Sequence, residues 1–519
     1  MLGESGGLRR TLATIGAGLA ALLGGCTVGP DYVKPEATVP VAYKEAWKPG
    51  PLEKGWQRAR PSETIDRGAW WSIYHDPILD GLERQIDISN QNLKAAEAAF
   101  REAEATVTAA RAQFFPTGRL SGSATRSRSS GNSAPQAGFG GGIQNQFLTE
   151  TSVSWVPDLW GSVRRLVESD VAGAQASAAT LANARLSAQA QLATAYVELR
   201  VADELTRLLE ASVKAYTQAL QITRNQLKGG TTDQSAVDQA QAQLDATRAQ
   251  LIAVGVTRGQ LEHSIAVLIG KPPAAVTIAP TNAVLGVPLI PSELPSALLQ
   301  RRPDIAASER DMHSANALIG VDTAAFYPTV TLSGDTGVEA EMFRKLFTEP
   351  SRIWSIGSSA AETIFDGGAR NAQIAHDEAA YDSSVATYRQ TVLTALQQVE
   401  DELVAERVLA EEAVAEDSAV KAARRAEATI NNQYLAGTQA YTAVIVAENT
   451  ALADEESAVN IRQSRLVASV ALIEALGGGW DASQVPNRDQ IESDQPLNFN
   501  PLPPTFPNEG AGITPPLPK

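Results

Sequence analysis

The sequence predicts a mixed α and β chain, an internal tandem repeat in which pairs of membrane-crossing strands run on into long helical hairpins. Three observations carry this expectation. "AQFFPTGRLSG" from Ala112 and "AAFYPTVTLSG" from Ala324 are one helix-breaking, strand-opening phrase used twice. Proline is absent from Asp158 to Lys271 and again from Ser351 to Val485, two Ala-, Gln- and Glu-rich stretches each broken once by glycine. After residue 26 no apolar run reaches the ~20 residues that a membrane-spanning helix needs, so any crossing is left to strands. Hydrophobic residues make up 44% of the chain and aromatics only 6%, a balance that favours close-packed helices over a bulky core.

The first element is a leader. Arg9 and Arg10 supply a positive start, Thr11 to Leu23 a short apolar segment, and Leu23-Gly24-Gly25-Cys26 a small-residue cleavage site. Residues 1–25 thus read as a lipoprotein signal peptide, with Cys26 as the lipid attachment residue. Cys26 is the single cysteine, so no disulfide is expected. Thr27 follows it, not the Asp that commonly marks retention at the inner membrane. Residues 26–76 are expected to be extended, since their first part is rich in proline.

Repeat 1 is assigned to 77–286: a helix, strands at about 117–130 and 146–157, then a helical hairpin over 161–270. Repeat 2, over 287–477, has the same order, with strands at about 329–340 and 352–365 and a hairpin over 367–476. The Pro-rich tail is 478–519. Gly230 and Gly437 stand 207 residues apart, as do Gly270 and Gly477, and Pro116 and Pro328 stand 212 apart. The helix from Gly161 to Lys228 would be roughly 100 Å long at 1.5 Å per residue. Coiled-coil spacing recurs at Leu205, Leu209, Val213, Tyr216 and Leu220, and at Val392, Leu396, Val399 and Leu403. Lys228-Gly229-Gly230-Thr231 and Ala436-Gly437-Thr438 each read as a helix stop followed by a new start, with Thr231 and Gln234 matching a capping box.

The strands alternate. Phe147, Thr149, Thr151, Val153 and Trp155 interleave with Leu148, Glu150, Ser152 and Ser154, as expected between lipid and water. The loop "SSGNSAPQAGFGGG" from Ser129 is expected on the far side of the membrane. Four strands per chain fall short of the roughly eight that a bacterial barrel needs, so the chain must oligomerise.

Other chemistry is excluded. The net charge of −16, with no Lys/Arg-rich block, argues against nucleic acid. His75, His263, His313 and His376 have no metal-ligand spacing, so no metal is expected. The Gly-x-Gly near Ala137 lacks the third glycine of a dinucleotide loop, and Lys271 lacks a phosphate-binding loop. Glu400, Asp401, Glu402, Glu411 and Glu412 read as solvated helix faces. With no reactive constellation, the chain is not expected to be an enzyme, nor to need a cofactor beyond the lipid on Cys26.

"LGGCTVGPDYVKP", "WWSIYHDPILDGL" from Trp70, "FFP" at Phe114, "RRPDI" from Arg301, "FYP" at Phe326, "FDGG" from Phe365 and "YLAGTQAY" from Tyr434 together resemble TolC-like outer-membrane efflux proteins. Within them they look like the NodT-type outer-membrane lipoprotein branch. The resemblance covers nearly all of the mature chain except the tail. It implies a homotrimer with a barrel of about twelve strands in the outer membrane, continuous with a periplasmic α-helical coiled-coil barrel. It also implies the exit duct of a tripartite pump for small toxic compounds such as drugs, with a periplasmic adaptor at the helical tips and an inner-membrane RND-type transporter. By motif, the tips are Gly229, Gly230 and Thr231 in one hairpin and Gly437 and Thr438 in the other. Tyr441, Val446 and Glu448 are candidates for the periplasmic aperture.

One departure concerns that aperture. Where relatives often have Leu-x-x-Asp-Ala, this chain reads Ala443-Val444-Ile445-Val446-Ala447, and the nearest carboxylate is Glu448. An apolar constriction at Val446, an acidic ring at Glu448 and plain coiled-coil packing of Val446 all stay open. Two other readings stand beside the drug-efflux duct: the outer-membrane duct of a type I protein secretion system, and a structural periplasmic coiled-coil lipoprotein.

Overall fold

A computed structural model describes residues 27–45, 69–128, 143–288, 290, 297–494 and 497–499. The signal peptide, Cys26 and the glycine-rich loop from Ser129 lie outside the described residues, as does most of the tail. Helices α1 (Pro77–Ser89) and α2 (Gln91–Ala112) lead into strands β1 (Thr117–Arg128) and β2 (Ile143–Trp155). Helices α3 (Ser162–Lys228) and α4 (Gln234–Leu268) follow. The same order then recurs: α5 (Leu298–Arg301), α6 (Pro303–Ala324), β3 (Thr329–Ala340), β4 (Arg352–Ala361), α7 (Ala369–Leu435) and α8 (Tyr441–Ala475). A short α9 (Arg488–Asp494) closes the described chain. The long helices have 67 residues each and their return helices 35 each. Among the described residues no helix is long and apolar enough to cross a membrane.

The four strands form one antiparallel sheet in the order β1-β2-β3-β4. Among the described residues β1 and β4 are therefore open edges, and a sheet with open edges needs partners or closure. Strand ends differ slightly from the sequence expectation. β2 begins at Ile143 and stops at Trp155, where the indole N–H bonds the Phe114 carbonyl at 3.0 Å and Pro157 soon removes a ladder donor. β4 stops at Ala361 instead of running to Phe365, because the Thr363 carbonyl turns away to accept from Arg370.

Each strand-to-helix passage is built alike. Gly161 (φ 84°) and Gly368 (φ 92°) adopt left-handed backbone as helix N-caps. The Asp158 carboxylate accepts from the Val163 and Arg164 N–H groups at 3.1 and 3.0 Å, and Asp366 accepts from the Gly368 N–H at 2.9 Å. The other ends of the hairpins match as well. A Cβ at Gly270 would lie 1.9 Å from the Ser89 carbonyl oxygen, and one at Gly477 would lie 2.0 Å from that of Arg301.

Among the described residues four apolar clusters line the helices. The largest gathers Trp70, Tyr196, Leu199, Ile265 and Val470 where α1, α3, α4 and α8 meet. Beside it a buried ion group ties α3 to α4: Arg200 pairs with Asp203 at 2.9 Å, and Asp203 accepts from Arg258 at 2.8 Å. Such a group must stay paired, since a lone buried charge is costly. The segment Thr27–Glu45 runs as a strap from the strand ends down the helices. The Val28 N–H bonds the Trp160 carbonyl at 3.1 Å, and Gly29 packs against Gly320. Asp31 pairs with Arg165 at 2.7 Å, and the Tyr32 hydroxyl donates to Glu309 at 2.5 Å. The Lys44 and Glu45 N–H groups then bind the Glu400 carboxylate at 2.7 and 2.9 Å.

Candidate functional site at the helical tips

The two hairpin turns farthest along the helices from the sheet share one geometry. At the first, the Gly230 N–H reaches the Leu227 carbonyl at 3.0 Å and the Thr231 N–H reaches Gln226 at 3.0 Å. At the second, the Gly437 N–H reaches Tyr434 and the Thr438 N–H reaches Gln433, both at 2.9 Å. Gly230 (φ 70°) and Gly437 (φ 74°) sit in the left-handed region that this helix ending requires. The Thr231 and Thr438 hydroxyls donate back to the Gln226 and Gln433 carbonyls at 3.1 and 2.9 Å. The capping box expected at Thr231 is thus replaced. Asp233 caps α4 by accepting from the Ala236 N–H at 3.0 Å, and hydrogen bonds from Ser235 and Ala236 hold its carboxyl below the usual range. Gly229, Gly230, Thr231, Gly437 and Thr438 are all exposed.

Behind the turns a small core packs Tyr216 and Leu220 of α3, Val237 and Leu244 of α4, and Tyr441 and Val444 of α8. The Tyr434 and Tyr441 rings meet at 5.2 Å. The Tyr434 hydroxyl donates to the Gln226 side chain, joining α7 of one hairpin to α3 of the other. Farther up, Arg424 clamps Glu427 and Glu455, joining α7 to α8. Sequence reading missed Gln226 and the Arg424 clamp. A signal existed at Tyr434: at the 207-residue spacing it replaces Leu227, so an aromatic breaks the repeat at the tip.

The aperture candidates separate. Tyr441 is buried in the tip core and Val446 is 66% exposed. Glu448 is half-buried, its Oε2 without a hydrogen-bond partner among the described residues. Burial, and after it the Glu427 charge, pushes the Glu448 carboxyl up to about 7. Tyr216, Tyr441 and Glu427 are titratable groups that face it.

This yields a pH prediction. Glu448 keeps its proton in the folded tip while the unfolded chain releases one near pH 4.5. Tip stability is therefore highest below that value, falls as pH rises towards about 7, and is flat above. Discounted for partial exposure, the loss is about 1–2 kcal/mol. In Glu448→Gln, hydrogen exchange at residues 441–455 should slow at pH 7.5 and lose its pH dependence beyond the intrinsic rate. An unchanged pH profile in that variant would remove Glu448 from the tip's energetics.

Comparison with known proteins bears on the same architecture. The family model described as outer membrane efflux protein matches residues 83–271 and 294–478, one match to each half of the chain. The toluene efflux pump outer membrane protein TtgC of Pseudomonas putida is 30% identical over 467 residues, 89% of this chain and 94% of that protein. The pyoverdine export outer membrane protein OpmQ of Pseudomonas aeruginosa is 28% identical over 449 residues, covering 84% and 94%. The solved outer-membrane channel OprN superposes with a TM-score of 0.79 at 29% identity, over 88% of this chain and 100% of that one. The chain belongs to the outer membrane efflux protein family, which is a family of export channels and not of enzymes.

Proposed function

We propose that this member of the outer membrane efflux protein family is the passive exit duct of a tripartite, RND-type pump for small toxic compounds, assembled as a homotrimer. One observation carries the reading: a four-stranded sheet with two open edges is continuous with helices of 67 residues, about 100 Å long. Three copies would pair β4 of each chain with β1 of the next, giving a barrel of about twelve strands without edges. The helical hairpins would then close a periplasmic tunnel beneath it. The duplicated order of elements, with family matches to both halves, supports a tandem-repeat origin for the two hairpins in this wall. The exposed glycine turns are the proposed docking surface for a periplasmic adaptor, and Tyr434 with Gln226 is the proposed tie between hairpins that opening must break.

In this reading Cys26 is the mature N-terminus and carries acyl chains. Its neighbour Thr27 supports this. Thr27 packs where β2 passes into α3, so that a Cβ at Gly161 would lie 3.0 Å from its Cα. An acyl chain on the preceding residue would enter the inner leaflet beside the barrel. The lipid anchors and the strands form the pore.

The test is a Cys26→Ala protein exported behind a cleavable non-lipoprotein signal. It should reach the outer membrane, cross-link no further than a trimer, and conduct ions in a planar bilayer. A soluble periplasmic protein would overturn the barrel, and a conducting monomer the trimer.

A further inference from the structure

The sheet register sorts the charged residues by face. Directly paired residues on neighbouring strands point to the same side of a sheet. One row runs Leu120–Thr151–Thr336–Trp354 and the next Gly122–Thr149–Val338–Arg352. This face carries Leu120, Phe147, Val153, Leu332 and Ile356 and is the apolar one. The other carries Ser121, Glu150, Asp335 and Ser355, where the Ser355 hydroxyl donates to Asp335 at 2.8 Å. In the proposed barrel the first faces lipid and the second the lumen.

Among the described strand residues the apolar face has three charges: Arg126, Arg128 and Arg352. All are cations, and all stand at the end of the sheet away from the helices. The strand acids Glu150, Asp335 and Glu339 point to the opposite face. Heights agree as well. Arg126 is nine residues beyond Thr117, the helix-side end of β1, and Arg352 is nine residues before Ala361, the helix-side end of β4. A tilted strand crosses the hydrocarbon in ~9–11 residues, so both arginines reach the headgroup level of the outer leaflet. An arginine facing lipid is disfavoured at mid-membrane but tolerated at the headgroup level. Trp354 lies one row towards the mid-membrane from Arg352 and is 76% exposed, as expected of an aromatic under a headgroup layer. Arg352 makes only a loose surface pair with Glu349 at 3.6 Å, their side chains 72% and 85% exposed.

We propose that Arg126, Arg128 and Arg352 form an outer-rim site for the phosphate groups of phosphorylated glycolipid in the outer leaflet. Guanidinium is suited to the task, because its planar fork matches phosphate oxygens and it stays charged. The site rests on the barrel reading. Closing the ring brings β4 of one copy beside β1 of the next, so Arg352 meets the partner copy's Arg126 at one height, with Arg128 two residues farther out. On the described strands the acids lie on the opposite face.

The test uses full-length protein purified from outer membranes in mild detergent, with trimer content measured first. Lipid A carrying both phosphates, or dephosphorylated lipid A, is then titrated in mixed micelles. The wild type should bind the phosphorylated form, less tightly as salt rises, and should bind the dephosphorylated form weakly. Combined Arg126→Gln, Arg128→Gln and Arg352→Gln should weaken phosphorylated lipid A binding about a hundredfold, and each alone about fivefold. The single variants keep the test decisive if the triple variant inserts poorly. Arg119→Gln, on β1 but on the lumen face, should bind like wild type. Equal binding of the two lipids, or equal binding by wild type and variants, would overturn the site while leaving the trimer intact. A wild-type protein without trimers would count against the barrel instead.

Discussion

Gly477→Ala is expected to prevent stable assembly at growth temperature, with Gly270→Ala close behind. Gly477 has φ 94°, a region in which an alanine costs about 1 kcal/mol. Contact adds far more. The new Cβ would lie 2.0 Å from the Arg301 carbonyl oxygen and 2.8 Å from its carbon, atoms of a backbone that cannot rotate away. That backbone is itself fixed, because Arg302 donates to the Ala475 carbonyl at 3.0 Å and the Gly477 N–H holds Glu474 at 2.9 Å. Either the helix end or the α5–α6 junction must shift. The expected destabilisation is at least about 4 kcal/mol, in the range reserved for core disruption. Gly437→Ala supplies the contrast: its φ of 74° carries the same backbone cost, but its Cβ meets nothing within 4 Å. Thermal unfolding followed by circular dichroism, with cross-linked trimer yield, separates the two. Should Gly477→Ala melt with the wild type, the close approach of the helix end to Arg301 would be wrong.

The same glycines explain what could be read from the sequence. Helix ends were legible because proline and glycine mark them chemically: α3 and α7 end next to Gly229 and at Leu435, within a residue or two of the sequence expectation. Strand existence was legible from alternation, and β3 keeps its expected bounds, but both ends of β2 and the end of β4 were not legible. A strand stops where its partner stops, and the ladder Thr117↔Ser154 is a fact about pairing and not about either segment. The Thr231 capping box failed for a local reason. The left-handed turn at Gly230 lays residue 231 back over the Gln226 carbonyl, so its hydroxyl donates backwards and Asp233 takes the cap. The strap of residues 27–45 was legible only as extended. Its grip on Glu309, Glu400 and Arg407 is made between residues about 280 to 360 apart, which no periodicity records. Glu448 was noticed as the carboxylate nearest a missing acid. Its half-buried setting follows from the rotation of α8 against α3 and α7, which heptad spacing does not fix.

Gly437→Glu should leave the duct assembled and abolish export. Its added Cβ meets no atom of the chain, so the cost to folding is confined to left-handed backbone, about 1 kcal/mol. The barrel strands lie roughly 100 Å away by helix rise and would not sense it. What changes is the surface. Three copies would place three new carboxylates on the exposed turns proposed as the adaptor's docking surface, and a charge buried at a packed contact without a partner is strongly unfavourable. The outward end of the molecule supplies the control. Glu349→Lys alters charge beside Arg352, on a side chain 85% exposed in the β3–β4 connection, and should leave export intact. Accumulation of a fluorescent pump substrate, in cells expressing each variant with its adaptor and transporter, is the readout. The tip variant should accumulate substrate like a strain without the duct, while its trimer yield equals that of the wild type. Loss of export in Glu349→Lys with normal export in Gly437→Glu would place the docking surface at the strand end and invert the molecule in its membrane.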